Sequence, residues 1–455
     1  MKRLIYILLT GLSLSMGMSS CEDFLNLEPE TGLSTAIAID NLTGADAVIN
    51  GAYTHLHSDW AERQLIFSET LANNVVILNP INNTNYNATL NHASSLDLAD
   101  KGNYLFELSY TALNLVNNVL VSLEDISTIT PEDEIWKRQL EGEAYFLRGL
   151  IYHVLNRFFA QPQNGLSVMI YTAPTFVSEC SGNGGPVVPR ASIEEVKAQI
   201  LADLQAADER MFDLEGNSGR ASKWATKALL ARVNFDFRNY TEAENYASQV
   251  IDGPFTLIDG NPLAAFQDLI STEHIFTFLS SAQDPAAANL YTRFAEPAVN
   301  VMLGVAPDLY TLLNSETGDL RASEMYGDFD GDIVTKKYDT RLMHIPYIRL
   351  PEMFLTRAEA RAENGNTTGA LDDLNEIRDR AGLDAATFSD AADLKMKIYN
   401  ERKRELALEG DDFHNRKRLQ WDIGGYPWTE AEYKLVFFMP TSEVDVLCIT
   451  QNPSW

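Results

Sequence analysis

Cysteine is nearly absent from this chain, and basic charge is scarce. Three cysteines stand among 455 residues, at positions 21, 180 and 448. That is too few for a disulfide framework or a structural zinc site. With Cys21 committed elsewhere, as argued below, Cys180 and Cys448 leave either one long-range bridge or two thiols, and two buried thiols are the simpler reading. Lysine and arginine total 35 against 64 acids, a formal charge of −29. So acidic a protein repels phosphate, which argues against nucleic acid and anionic membrane surfaces and leaves neutral ligands open. After the first twenty residues no apolar run approaches the roughly 18 residues that span a bilayer. Catalytic motifs are missing as well: there is no HExxH, GxSxG, Walker sequence or CxxC. The glycine-rich stretch 181–186 follows no clear strand and opens no clear helix, so it reads as a loop. A glycosidase pair of facing carboxylates is the remaining catalytic option. Among 64 acids chance pairs are plentiful, so the chain reads as no enzyme and needs no cofactor.

What is present begins at the N-terminus. Lys2 and Arg3 precede an apolar stretch, Leu4 to Met18, and then Ser19, Ser20 and Cys21. A basic start, a short apolar core and small residues before a cut site form a secretory signal, too short to span. Cysteine at the cut makes it a lipoprotein signal, in which Cys21 takes the lipid and becomes the mature N-terminus. Each buried methylene adds roughly 0.8 kcal/mol, so a multi-chain anchor is durable. The expected organisation is a signal at 1–20, a polar tether at 21–35, and a single domain over 36–455.

Helical periodicity dominates that domain. Helices are predicted over 45–58, 101–123, 131–160 and 192–211. Pro131 with Glu132, Asp133 and Glu134 is a strong start signal, because proline suits the first turn and acids complement the helix dipole. Two helical hairpins follow, 221–251 with a break at 238–240 and 350–383 with a break at 364–366. Ala231 and Ala243 in the first, and Ala358 and Ala370 in the second, are twelve residues apart, small residues where paired helices cross. A further helix covers about 390–410. Two irregular insertions, about 60–100 and 253–345, are rich in asparagine and proline, which favour turns. Asp330-Gly331 between short β-like runs predicts a hairpin.

Five segments in order resemble the SusD/RagB family. They are Cys21-Glu22-Asp23-Phe24-Leu25, EAYFLRGLIYHVLNRFF (143–159), ATKALLARV (225–233), IRLPEMFLTRAEARAENG (348–365, with Arg349, Glu352, Leu355, Ala358, Glu359 and Ala360), and NERKRELALEGDDFHNRKR (400–418). The ending, with Gln451-Asn452-Pro453, is similar too. The resemblance implies a mainly α fold, four tetratricopeptide-like helical hairpins supporting a loop-rich ligand face. It also implies a lipid-anchored, surface-exposed outer-membrane protein that captures oligosaccharide or, in some branches, peptide, for a SusC-like TonB-dependent porin. A helical-repeat scaffold binding only protein is the alternative from another class.

The ligand face is sought where aromatics and amides crowd the insertions, since sugars stack on aromatic faces and bond amides through their hydroxyls. The first region supplies Trp60, Asn73, Asn74, Tyr86 and Asn87, and the second Tyr291, Phe294, Tyr326 and Phe329. Asp328, Asp330 and Asp332 hold a fragment of calcium-loop chemistry without the closing glutamate, so a turn is preferred to a metal there. Glu401, Arg402, Arg404, Glu405 and Glu409 are read as structural i, i+4 ion pairs. Arg148 and His153 are likewise read as packed structural groups.

Overall fold

The computed structural model describes residues 39–57, 59–78, 96–162, 165–174, 189–213, 219–267, 271–288, 290, 294, 303–428, 436–440, 444 and 449–452. The signal, Cys21, the tether, Tyr86, Asn87, Cys180, Tyr291 and Cys448 lie outside them.

Paired helices build the scaffold. In the first pair, α1 (Leu42–Leu56) packs on α3 (Leu96–Asp125), with α2 (Asp59–Leu71) between them in sequence. The Asn41 side chain caps α1 by accepting from Gly44 N at 2.9 Å. The second pair is α4 (Pro131–Phe159) with α5 (Ile193–Arg210). Both start on capping boxes, Thr130 with Asp133 and Ser192 with Glu195. At their crossing a Cβ on Gly149 would lie 2.8 Å from Leu204, so only glycine permits this approach. The third pair, α6 (Lys223–Asp236) with α7 (Tyr240–Ile251), and the fourth, α11 (Leu350–Glu363) with α12 (Thr367–Arg380), occupy the two predicted hairpins. Successive pairs stack: α3 touches α4, α5 touches α6 and α7 touches α11. The final helices are α13 (Ala391–Glu405), lying on α11 and α12, and α14 (Asp412–Leu419). Ala243 packs with Phe235 and Ala360 between the third and fourth pairs, and Ala358 shares a buried cluster with Ala370.

The insertions are more ordered than the sequence suggests. Helix α2 and strand β1 (Val75–Ile77) fall within 60–100, a correction to the irregular reading of that stretch. Eleven residues of α2, all but Asp59 and Arg63, are not solvated loop but core, Trp60 and Phe67 among them. The second insertion carries α8 (Ala264–Gln267), α9 (Pro307–Leu313), α10 (Leu320–Glu324), β2 (His274–Phe278), β3 (Leu303–Val305), β4 (Tyr326–Phe329) and β5 (Asp332–Thr335), with β6 (Ile345–Arg349) just after it. Three two-stranded antiparallel ladders result: β1–β3, β2–β6 and β4–β5. Every residue of β2 is buried, and its Phe276 meets Phe146 of α4 at 5.2 Å, which fastens the insertion to the scaffold. One hydrophobic cluster runs from Ile39 to Ile449. Among the described residues no helix is long and apolar enough to cross a membrane.

Arg148 and His153 take the structural roles expected. Arg148 holds Asp203 of α5 at 3.0 and 2.6 Å and Asn117 of α3 at 3.0 Å, tying three helices. His153 meets Asp236 at 2.7 Å, and burial pulls its imidazole down to about 4, so it is neutral at pH 7.

Candidate functional site

Strand pairing brings the two irregular insertions to one place. Val75 opposes Val305 and Ile77 opposes Leu303, so the chain leaves β1 at Leu78 beside the point where it enters β3. In an antiparallel ladder the exit of one strand and the entry of its partner share an end. Leu78 and Leu303 therefore stand together at that end. The β4–β5 hairpin packs against β3, and Gly304 makes room for it. A Cβ there would lie 3.1 Å from the Leu78 side chain and 3.2 Å from the Ile333 carbonyl oxygen.

Several predicted ligand residues turn out to build this end from below. Trp60 is fully buried on α2; its Nε1 donates to Ser109 Oγ at 2.8 Å and its ring stacks on Tyr347. Its expected role as a ligand platform is corrected: it starts a helix, and its one polar atom is satisfied inside. Phe294 is buried against Tyr338 at 5.6 Å and is also core. Asn74 is buried at the root of β1, donating its amide to Glu69 Oε2 at 2.8 Å, while its carbonyl accepts from Ala306 N at 2.9 Å and extends the ladder. It too is a strut, with its amide spent. Tyr326 is buried, its hydroxyl unmatched among the described residues, and burial pushes its phenol well up.

The remaining described candidates face outward. Asn73 is exposed in the turn after α2 with φ 55°, a left-handed conformation asparagine tolerates. Phe329 is half-buried on β4, and Asp328, Asp330 and Asp332 are exposed around the hairpin turn. Asp330 (φ 52°) and Gly331 (φ 94°) make a turn of the primed type, and Asp328 Oδ1 accepts from Gly331 N at 3.2 Å. Among the described residues no cluster of three His, Cys, Asp or Glu side chains is disposed to hold a metal. Asn74, Tyr326, Phe329 and the hairpin acids thus gather at the ladder, whereas Trp60 and Phe294 lie in the core.

Beneath the hairpin is a buried ionic lattice. Lys337, just past β5 and fully buried, donates to the carbonyls of Glu405 and Ala407 at 3.2 and 2.9 Å and to Glu409 Oε1 at 2.7 Å. Arg349, ending β6, binds Glu409 at 2.8 and 2.7 Å, Glu405 at 3.2 Å and Glu273 at 3.2 Å. Arg321 of α10 holds Asp319 at 2.8 Å and Glu401 at 2.6 Å, and Arg380 reaches Glu405 at 2.6 Å and also Glu273. Burial alone would raise the Glu405 carboxyl, but Arg380, Arg349, Arg321 and Lys337 overcome it and hold the group well below its usual range. Opposite charge is scarcer around Glu69. Burial raises its carboxyl to about 7, although Asn74 and Gly410 N donate to it. The 401–409 segment is structural, as expected, but mostly through partners distant in sequence. Only Arg404 with Glu401, at 3.0 Å, is a local helical pair.

Sequence reasoning missed Glu69, Glu273, Arg321, Lys337 and Arg380. Their signal is an ionisable residue on an otherwise apolar face, as in HIFTF after Glu273. The arrangement as a whole supports non-covalent recognition: a rigid ionic base, a short ladder, and a rim offering an amide, carboxylates and an aromatic edge.

Comparison with known proteins agrees with this architecture. A family model described as "Starch-binding associating with outer membrane" matches residues 23–235, and one described as "SusD family" matches residues 325–434. SusD-like protein P25 of Formosa agariphila is 23% identical, over 93% of this chain and 91% of its own. The crystal structure of a SusD superfamily protein from Bacteroides thetaiotaomicron superposes with a TM-score of 0.77 at 22% identity, over 91% of this chain and all (100%) of that one. The surface glycan-binding protein A of Bacteroides fluxus superposes at 0.74 with 20% identity, over 91% of this chain and 99% of that one. With two SusD models matched in order and the fold shared along most of its length, the chain belongs to the SusD/RagB family.

Proposed function

We propose that this chain is a non-catalytic glycan-capturing lipoprotein of the outer membrane that hands oligosaccharide to a SusC-like TonB-dependent porin. The observation that carries the reading is the β1–β3 pairing, which sets Leu78, where the asparagine-rich stretch 79–95 begins, beside Leu303, where the second insertion re-enters the ladder. Tyr86 and Asn87 belong to the stretch 79–95, Tyr291 lies in the second insertion before Phe294, and Asn73 and Phe329 stand on the adjoining rim. Aromatic faces would cover the apolar side of a sugar ring while amides bond its hydroxyls. The name of the Bacteroides fluxus protein supports the ligand class. Cys21 carries the lipid, residues 21–35 form the tether, and the ligand leaves chemically unchanged.

Affinity electrophoresis of the soluble domain through gels containing a panel of polysaccharides tests this. Retardation by at least one neutral polysaccharide, lost in Tyr86→Ala and Tyr291→Ala, is the expected result. Retardation by none would favour the peptide-binding alternative, and release of reducing ends would refute the non-catalytic reading.

A further inference from the structure

Helices α12 and α13 leave a groove of 380 Å³ between them. That volume lies within the range of small-ligand clefts, about 300–1,000 Å³. Three of the side chains lining it are cationic, Arg378, Lys397 and Arg404, and one is acidic, Glu316. The excess is unexpected in a chain with 64 acids to 35 bases. Leu374 and Ala386 give the groove an apolar wall. Thr387, exposed, and Asn400, half-buried, complete it, and neither side chain is hydrogen-bonded among the described residues. No residue of β1, β3 or the β4–β5 hairpin takes part.

The single acid reveals what the arginines are shaped to hold. Glu316 Oε2 accepts from Arg378 at 2.6 Å, and its Oε1 accepts from Arg378 at 2.9 Å and lies 3.0 Å from Arg404. A planar fork on both oxygens, with a second guanidinium beside it, is the strongest arrangement these side chains offer a carboxylate. The bond from Arg378, with Arg404 close by, holds the Glu316 carboxyl below its usual range. Both arginines are fixed without it. Arg378 Nε donates to the Asp384 carbonyl at 3.0 Å and Arg404 Nε to the Leu312 carbonyl at 3.2 Å, and both reach the buried Glu401 Oε2, at 3.3 and 3.0 Å. Arg378 is 8% exposed and Arg404 7%. Glu316 instead comes from the solvated connection 314–318 between α9 and α10, and its side chain is one-third exposed (33%). The backbone around it is pinned separately, by Asn314 N on the Tyr310 carbonyl and Leu320 N on the Ala381 carbonyl. Turning the Glu316 side chain to solvent therefore opens a preorganised carboxylate seat at the edge of the groove.

The lining also discriminates among carboxylates. With Glu316 turned out no acid faces the groove, so the ammonium of an amino acid would meet Lys397 and no counter-charge. Hydroxyls fare better, because Thr387 and Asn400 offer both donors and acceptors. Lys397 Nζ donates to the Thr387 carbonyl at 2.6 Å and Asp393 at 2.9 Å and keeps a third proton. We propose that this groove is a second binding site, for a sugar acid whose carboxylate replaces that of Glu316 on Arg378 and Arg404 while Thr387 and Asn400 bond its hydroxyls. Glu316 is then a built-in competitor that keeps the seat filled until such a ligand arrives. The site depends on neither the ladder end nor the lipid anchor.

Isothermal titration of the full lipidated chain in detergent, with glucuronate as the probe, tests the proposal. Saturable one-to-one binding of glucuronate is expected, with none of glucose. N-acetylglycine, which brings a carboxylate without the hydroxyls, should bind at least about tenfold more weakly. Glu316→Ala removes the competitor and should tighten glucuronate about tenfold or more, since the open state no longer has to be selected. A Glu316 that merely staples its loop would give no such gain. Asn400→Asp breaks no hydrogen bond but sets a negative charge in the groove, and should weaken glucuronate about tenfold. No saturable binding of glucuronate, equal binding of glucose or N-acetylglycine, or unchanged affinity in either variant overturns the proposal.

Discussion

Replacing Glu69 with Gln should remove much of one pH dependence from the folded state. The Glu69 carboxyl is buried on α2, and burial raises it from 4.5 to about 7. The amide of Asn74 at 2.8 Å and Gly410 N at 2.6 Å favour the ionised form without overcoming that burial. The folded chain therefore holds this proton more tightly than the unfolded chain does. Between pH 4.5 and about 7 the folded state binds more protons, so stability falls as pH rises through that window. At about 1.4 kcal/mol per pKa unit, ionising Glu69 in place costs about 3 kcal/mol, fully present above pH 7. Gln keeps the shape and one acceptor but cannot ionise. It should show a constant offset from a lost carboxylate bond, and a stability relative to the parent that climbs by about 3 kcal/mol from pH 5 to pH 8. Urea unfolding followed by tryptophan fluorescence at several pH values measures this difference, and the other titrating groups cancel in it. Parallel pH curves for parent and Glu69→Gln would refute the reasoning.

Other consequences follow from the same contacts. Arg349→Met leaves Glu273, Glu405 and Glu409 short of a cation, and should cost about 3–5 kcal/mol in urea unfolding. Lys395→Met, which breaks the surface pair with Glu363, should cost under about 1 kcal/mol. Trp60→Phe loses the bond to Ser109 and core volume, about 1–3 kcal/mol, yet polysaccharide retardation should be unchanged because the ring faces no ligand. Gly304→Val drives a side chain into Leu78 and the Ile333 carbonyl. It should weaken polysaccharide retardation more than Trp60→Phe does, measured at a temperature where both variants are folded.

Long helices were legible because their signals are local. The 131–160 and 192–211 segments announced themselves by apolar period and by caps, and both caps form as reciprocal boxes at Thr130 and Ser192. Both hairpins broke where predicted, and Asp330-Gly331 turned the expected hairpin. Helix α2 was missed because Glu62, Gln64, Ser68, Glu69 and Thr70 are buried polar residues that blur its period. Strands of three residues, such as β1 and β3, carry no readable alternation, and their pairing depends on residues far apart in sequence. Trp60, Asn74 and Phe294 show the limit for the site. An aromatic or amide in a polar stretch looks the same whether it meets a ligand or props the loop that does. The acids and arginines of 401–409 misled differently. Their spacing suits local pairs, yet low-dielectric burial makes three-dimensional partners such as Arg349 and Arg380 decisive.

Ligand bound at the end of the β1–β3 ladder should shield that end from solvent. Hydrogen exchange of the soluble domain, with and without a retained oligosaccharide, tests it most directly. Ligand-dependent protection is expected in peptides covering 73–95, 288–305 and 326–335, with peptides of α12 and α13 unaffected. Protection centred on α12 and α13, or spread evenly over the scaffold, would contradict it.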